Sequence, residues 1–199
     1  MTGYFLTALV AYLIGSIPTG YLFGRARGID IRTAGSGNIG ATNVFRTLGK
    51  TAGVAVLVID AVKGFVPAKF LIFGADPGSR ELHAMVAGFF SIIGHNYTCW
   101  LRFKGGKGIA TSAGVLVALV PLALLITFAG WLLVFAISRY VSLASIVAAL
   151  FLPFAAWGLG RSDRIILLCS VLSLLAIYKH KANIQRLLAG TEHRFGAKK

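Results

Sequence analysis

The chain has 199 residues, 57% of them hydrophobic and only 13% charged, with a formal net charge of +14. A mean hydropathy of +0.79 and apolar runs of membrane-spanning length from end to end exclude a soluble globular domain and predict a polytopic membrane protein. The cations cluster in loops and at the C-terminus instead of along one amphipathic face, so the excess is explained by the positive-inside rule and no nucleic-acid partner is expected.

The first apolar segment, 4–23, has no basic region before it and no small-residue cleavage site, and it predicts a permanent span. Arg25, Arg27, Arg32, Arg46 and Lys50 fill the loop behind it, which places that loop in the cytoplasm and the N-terminus outside. Within the loop runs Gly35-Ser36-Gly37-Asn38-Ile39-Gly40-Ala41-Thr42-Asn43. Glycines let peptide N–H groups crowd round an anion, and a following helix N-terminus adds its positive dipole end. Ser36, Asn38, Thr42 and Asn43 are short polar groups beside Gly35, Gly37 and Gly40, and Arg46 can fork two N–H groups onto a phosphate. The spacing Gly35-x-Gly37-x-x-Gly40 matches a dinucleotide fingerprint, but no strand precedes it and no βαβ unit fits, so a nucleotide fold is set aside. An ordinary flexible cytoplasmic loop is the bland alternative.

Segments 53–73 and 83–101 predict the second and third spans, joined by the mixed-sign outer loop 74–81 with Asp76, Arg80 and Glu81. Asp60 and Lys63, three apart on one helical face, are expected to compensate one another, and Lys69 to snorkel outward. The next basic loop holds Arg102 and Lys104-Gly105-Gly106-Lys107-Gly108, a second anion cradle at the start of an apolar segment, with His95 shortly before it. It lacks the Walker A spacing, and a plain positive-inside anchor is its alternative reading.

Parity requires the stretch 109–137 to cross twice or not at all, because Arg139 must be inside. Two crossings there make a tight pair of short helices broken near Pro121, since a core of ~30 Å asks for roughly 20 residues per helix. Apolar stretches 140–158 and 165–178 complete the count, joined by loop 159–164 with Arg161, Asp163 and Arg164 on the outer side. The expected fold is therefore an all-α bundle of seven transmembrane helices, with five helices plus a re-entrant hairpin as the alternative. It forms a single integral membrane domain over 1–199, with the C-terminus in the cytoplasm. The basic tail contains Lys179, Lys181, Arg186, Arg194, Lys198 and Lys199. Glycines inside spans, namely Gly15, Gly20, Gly88, Gly94 and Gly130, predict close helix packing.

His95 and His180, near predicted cytoplasmic ends, are candidate bases or phosphate donors. The six acids show no closely spaced pair and the cytoplasmic ones do not cluster with histidine, so metal-free chemistry is expected. Ser142, at the start of the helix after Arg139, reads by default as an N-cap. Cys99 and Cys169 lie in different apolar segments and read as buried free thiols.

Together, GSGNIGATNVFRTLGK (35–50), GHNYTCWLRFKGGKGIATSAG (94–114), RYVSLASI (139–146) and YKHKANIQRLLAGTEHRF (178–195) resemble the signature blocks of the bacterial acyl-phosphate:glycerol-3-phosphate acyltransferases. The resemblance covers nearly the whole chain. It implies a multi-pass enzyme of the bacterial cytoplasmic (inner) membrane, with its active site on the cytoplasmic face. Its partners would be acyl phosphate, glycerol 3-phosphate and membrane lipid, its products lysophosphatidic acid and phosphate, and it would need no cofactor. It further implies that Ser36, Arg46, Lys104, His180 and Asn183 are tied to catalysis or substrate binding, that the second block holds glycerol 3-phosphate, and that Glu192 is structural. The remaining phosphate-site expectations are Gly35, Gly37, Asn38, Gly40, Thr42, Asn43, His95, Gly105, Gly106, Lys107, Gly108 and Ser142. The rival reading is a transporter or flippase of a phosphorylated metabolite, which requires polar residues across the bilayer; beyond Asp60, Lys63 and Lys69 the spans offer few.

Overall fold

The computed structural model describes residues 2–71 and 73–196, so Lys198 and Lys199 of the basic tail lie outside the described residues. Among the described residues the chain is all helical, with no strand. The helices are α1 (Thr2–Ser16), α2 (Thr19–Arg25), α3 (Ala41–Leu48), α4 (Lys50–Phe70), α5 (Arg80–Asn96), α6 (Ile109–Leu119), α7 (Pro121–Ser138), α8 (Val141–Gly158), α9 (Asp163–Lys179) and α10 (Lys181–Leu188). Among the described residues four stretches are long and apolar enough to cross a membrane, Thr2–Arg25, Lys50–Phe70, Pro121–Ser138 and Val141–Gly158, with a fifth if the bent pair α9 and α10 is one span.

Two predicted spans are interrupted. Segment 4–23 divides at Ile17 and Pro18 into α1 and α2, because a proline ring offers no N–H to the helix and crowds the preceding turn. Segment 83–101 is helical only to Asn96; Tyr97 leaves helical geometry at φ −136°, and Thr98 turns to donate its hydroxyl to the Ser16 carbonyl at 2.5 Å. The apolar residues Cys99–Leu101 then form a 3₁₀ turn. The expected break near Pro121 is present, with Pro121 opening α7 where its missing N–H costs nothing. α6, at 11 residues, covers roughly 16 Å at ~1.5 Å per residue, about half of a hydrocarbon core.

The chain divides into two compact units, the first ending at Leu119 and the second beginning at Val120. In the first, α1 lies along α5, and α4 packs against α3, α5 and α6. Small residues allow this closeness: a β-carbon at Gly15 would collide with the Ser91 carbonyl, at Gly94 with the Tyr12 carbonyl, at Gly64 with the Thr111 carbonyl, and at Gly114 with the Ala61 carbonyl. Gly20 and Gly88 are similarly closed by Ile39 and Val115, whereas Gly130 meets nothing within 4 Å, against expectation.

In the second unit α8 packs against α7 and α9. α7 buries only Ala123 and Thr127 fully, and its Trp131 indole donates to the Ser145 hydroxyl of α8 at 3.1 Å. Phe128, Trp131 and Phe135 stack along one face of α7, and the Phe195 ring meets Phe135 edge-on at 5.5 Å. Cys169 is buried as expected, but Cys99 is only half-buried because its 3₁₀ turn lies outside the packed helices.

Candidate functional site

The first glycine loop is wound around one side chain. Asn43, 2% exposed, accepts the Ser36 N–H at 2.8 Å and donates to the carbonyls of Ile31, Ala34 and Asn38 at 3.2, 3.0 and 2.9 Å. Gly35 and Gly37 take left-handed φ of 59° and 70°, which lets the chain reverse on either side of Ser36. The loop then enters α3 with Gly40 as N-cap, and Asn38 Oδ1 accepts the Gly40 N–H at 2.9 Å. Asn43 thus shapes the loop from inside, while Ser36 and Arg46 are exposed and Thr42 is half-buried at the first turn of α3. Behind the loop Arg32 grips Asp30 at 2.6 Å and lies over the Tyr21 ring; its hydrogen bonds hold the Asp30 carboxyl down at about 2.

The second loop folds back onto the end of α5. The Gly105 and Gly106 N–H groups donate to the Asn96 and His95 carbonyls at 3.2 and 3.0 Å. These two N–H groups therefore close the loop on α5, so the expected phosphate role of Gly105 and Gly106 does not rest on these amides. The turn before them runs through two left-handed non-glycine residues, Arg102 (φ 54°) and Phe103 (φ 60°), held by the Phe103 N–H to the Thr98 carbonyl at 2.9 Å. Such a pair costs on the order of 1–2 kcal/mol per residue, so the exposed Lys104 is presented by a constrained turn. Lys107 is half-buried, and Gly108, at φ 80°, leads into α6.

His95 lies behind this loop. It is 4% exposed, its Nδ1 is 3.8 Å from Asp60 Oδ1, and a β-carbon at Gly106 would strike its Nε2. The expected Asp60–Lys63 pair is present at 2.7 Å, and Asp60 also faces His95, a proximity the sequence did not show. Sequence separation hid the contact, since α4 and α5 bring residues 60 and 95 together only by packing.

In the second unit a polar knot gathers around Glu192, whose side chain is 4% exposed. Its Oε1 accepts Ser142 Oγ at 2.8 Å and Asn183 Nδ2 at 2.7 Å, and its Oε2 accepts Arg186 Nε at 2.7 Å. Burial pushes the Glu192 carboxyl up, but the hydrogen bonds from Ser142, Asn183 and Arg186 and the arginine charge outweigh it, and its pKa lies below the ordinary value. Ser142 is not the N-cap of α8, a place taken by Tyr140; it sits in the first turn and serves Glu192. Glu192 is the partner the sequence did not show for Ser142. His180 stands at the 56° bend between α9 and α10, 3% exposed, with Nδ1 2.8 Å from the Ala176 carbonyl. A carbonyl can only accept, so Nδ1 carries a hydrogen. The tail returns to the α7–α8 corner, where Phe195 N–H donates to the Arg139 carbonyl at 2.8 Å.

The family model for glycerol-3-phosphate acyltransferase matches residues 5–190. A glycerol-3-phosphate acyltransferase of Desulforudis audaxviator is 51% identical over 193 residues, covering 96% of this chain and 94% of that protein. One of Geobacter sulfurreducens is 46% identical over 192 residues, covering 96% and 97%. Among solved structures, the glycerol 3-phosphate form of PlsY (YgiH), an integral membrane glycerol 3-phosphate acyltransferase, superposes with a TM-score of 0.90 at 41% identity, covering 97% of this chain and 96% of that one. Its lysophosphatidic acid form superposes with a TM-score of 0.87, covering 97% and 95%.

Proposed function

This chain belongs to the glycerol-3-phosphate acyltransferase family and acylates glycerol 3-phosphate in a membrane, and we propose that it takes the acyl group from an acyl phosphate. In that reaction the glycerol hydroxyl oxygen attacks the acyl carbonyl carbon, the carbon–oxygen bond to phosphate breaks, and inorganic phosphate leaves with the electron pair. The hydroxyl proton passes to a phosphate oxygen of the substrate. An acyl phosphate is already a mixed anhydride with a good leaving group, so charge stabilisation and positioning carry most of the catalysis.

Ser36 and Arg46, presented by the loop wound on Asn43, neutralise the acyl phosphate and the developing oxyanion. Lys104 and the loop ending at Gly108 hold the phosphate of glycerol 3-phosphate. Within the second unit His180 and Asn183 are the candidate polar groups for catalysis, and Glu192 fixes the amide of Asn183. The observation that supports this most is the first loop itself, where one buried asparagine consumes the inward polar groups and leaves Ser36 and Arg46 exposed. We place the basic loops on the cytoplasmic face of the bacterial inner membrane and the N-terminus outside, with seven crossings in which α6 is the shortest. Thiol labelling of single cysteines at 76 and 161 from outside intact cells tests the orientation.

The donor is tested with purified protein, labelled glycerol 3-phosphate and either acyl phosphate or acyl-CoA. Lysophosphatidate formed with acyl phosphate and not with acyl-CoA is the expected result, and the reverse overturns the donor assignment.

A further inference from the structure

Inside the first unit, Asp60, Lys63 and His95 are 2, 5 and 4% exposed and lie in or at the ends of apolar helices, where an ionisable side chain is costly to keep. Neutralisation alone would need only Asp60 and Lys63. The arrangement does more than that. Lys63 Nζ also donates to the Ile17 carbonyl at 2.8 Å, fastening α4 to the break between α1 and α2, and Ser91 Oγ of α5 donates to the Lys63 carbonyl at 2.6 Å. Lys63 is thereby fixed from two sides, and it holds Asp60 through their 2.7 Å pair. Asp60 Oδ1 faces His95 Nδ1 at 3.8 Å, and the opposite ring nitrogen, Nε2, occupies the space where a Gly106 side chain would begin. The same residue's carbonyl accepts the Gly106 N–H at 3.0 Å, so both main chain and ring of His95 define the course of the second loop.

We propose that Asp60 is a positioning residue for glycerol 3-phosphate binding: through the His95 imidazole it sets the path of the loop from Lys104 to Gly108. Lys63 pairs with the carboxylate and anchors it, and Gly106 is glycine because the ring edge lies against it. This role rests on the reading of the second loop as the holder of glycerol 3-phosphate. It differs from direct phosphate contact by His95, since the carboxylate that acts on the ring is buried behind the loop.

The test is a double-mutant cycle on the purified full chain. Asp60→Asn is combined with Lys63→Met, so that no uncompensated buried charge remains, and the pair is measured with and without His95→Gln. The KM for glycerol 3-phosphate, the KM for acyl phosphate, kcat and the thermal midpoint are read for each. The expected result is a rise of about tenfold in the KM for glycerol 3-phosphate from either change, with no further rise when they are combined. The KM for acyl phosphate should stay within about twofold. Independent, multiplying effects overturn the proposal, as do parallel increases in both KM values that follow the thermal midpoint, which is what a merely structural pair predicts. Should the paired variant fail to fold, Asp60→Glu keeps the charge and moves the carboxylate; an unchanged KM for glycerol 3-phosphate then overturns the proposal. Lys104→Ala in the same assay tests the loop assignment separately, since unchanged glycerol 3-phosphate saturation there would sink that assignment whatever Asp60 does.

Discussion

Each unit is held together internally by different means. In the first, Gly15, Gly64, Gly94 and Gly114 bring helix backbones into direct contact, and the two glycine loops are pinned to that frame by Asn43 and by the end of α5. In the second, Gly130 and Gly158 meet nothing within 4 Å, and long side chains reach across the sequence to make the contacts, such as Ser142 to Glu192 and Trp131 to Ser145. Backbone contact gives a stiff support with few adjustable parts, which suits loops that must hold charge in place. Side-chain contact concentrates stability in a few hydrogen bonds, and so makes the second unit sensitive to single polar changes and to pH.

The sharpest test of this division is catalytic. Arg46→Ala and Lys104→Ala, each removing a cation from a loop of the stiff unit, should lower kcat/KM by roughly 100- to 1,000-fold, about 2.7–4 kcal/mol of barrier, with little change in thermal midpoint. His180→Ala should cost less, because the substrate phosphate can take the proton. Complete loss with His180→Ala beside near-normal rates for Arg46→Ala and Lys104→Ala would break the charge-neutralisation account.

The same division explains what could be read in the sequence. Helix positions followed from apolar runs, and Pro121, Asp60 with Lys63, and four of the five singled-out span glycines behaved as local chemistry dictates. The first loop stood out in the sequence as a candidate anion site because its glycines and polar groups are contiguous. What the sequence could not show were contacts made by packing: His95 against Asp60, 35 positions away by number, and Ser142 with Glu192, 50 positions apart. Asn43 is the instructive case. Its residue type suggested a phosphate ligand, but its position on the buried face of α3 turned the same amide inward to organise the loop.

A pair of alanine substitutions contrasts the two packing modes directly. Gly114→Ala puts a methyl group against the Ala61 carbonyl and should destabilise by about 1–3 kcal/mol, since overpacking in a closed interface forces the backbone to move. Gly130→Ala has open space and should be neutral or stabilising by up to about 1 kcal/mol, through the lower freedom of the unfolded chain. Thermal midpoints in one detergent decide the matter; equal losses at both sites would mean that α7 is packed as tightly as α6.

Glu192→Gln should have the smaller but more diagnostic effect, about 1–2 kcal/mol at neutral pH, because the side chain keeps its size and one acceptor while losing the charge that Arg186, a third exposed, partly shares with solvent. The pH dependence fixes the cause. Glu192 has its folded pKa below the ordinary 4.5, so its contribution is fully present above that value and disappears as the pH falls through the folded pKa. The stability gap between the native chain and Glu192→Gln should therefore be constant from neutral pH down to about 4.5 and close below it. If the gap instead persists unchanged well into acid, the carboxylate charge is not what binds the knot, and the second unit depends on the shape of the Ser142, Asn183 and Arg186 hydrogen bonds alone.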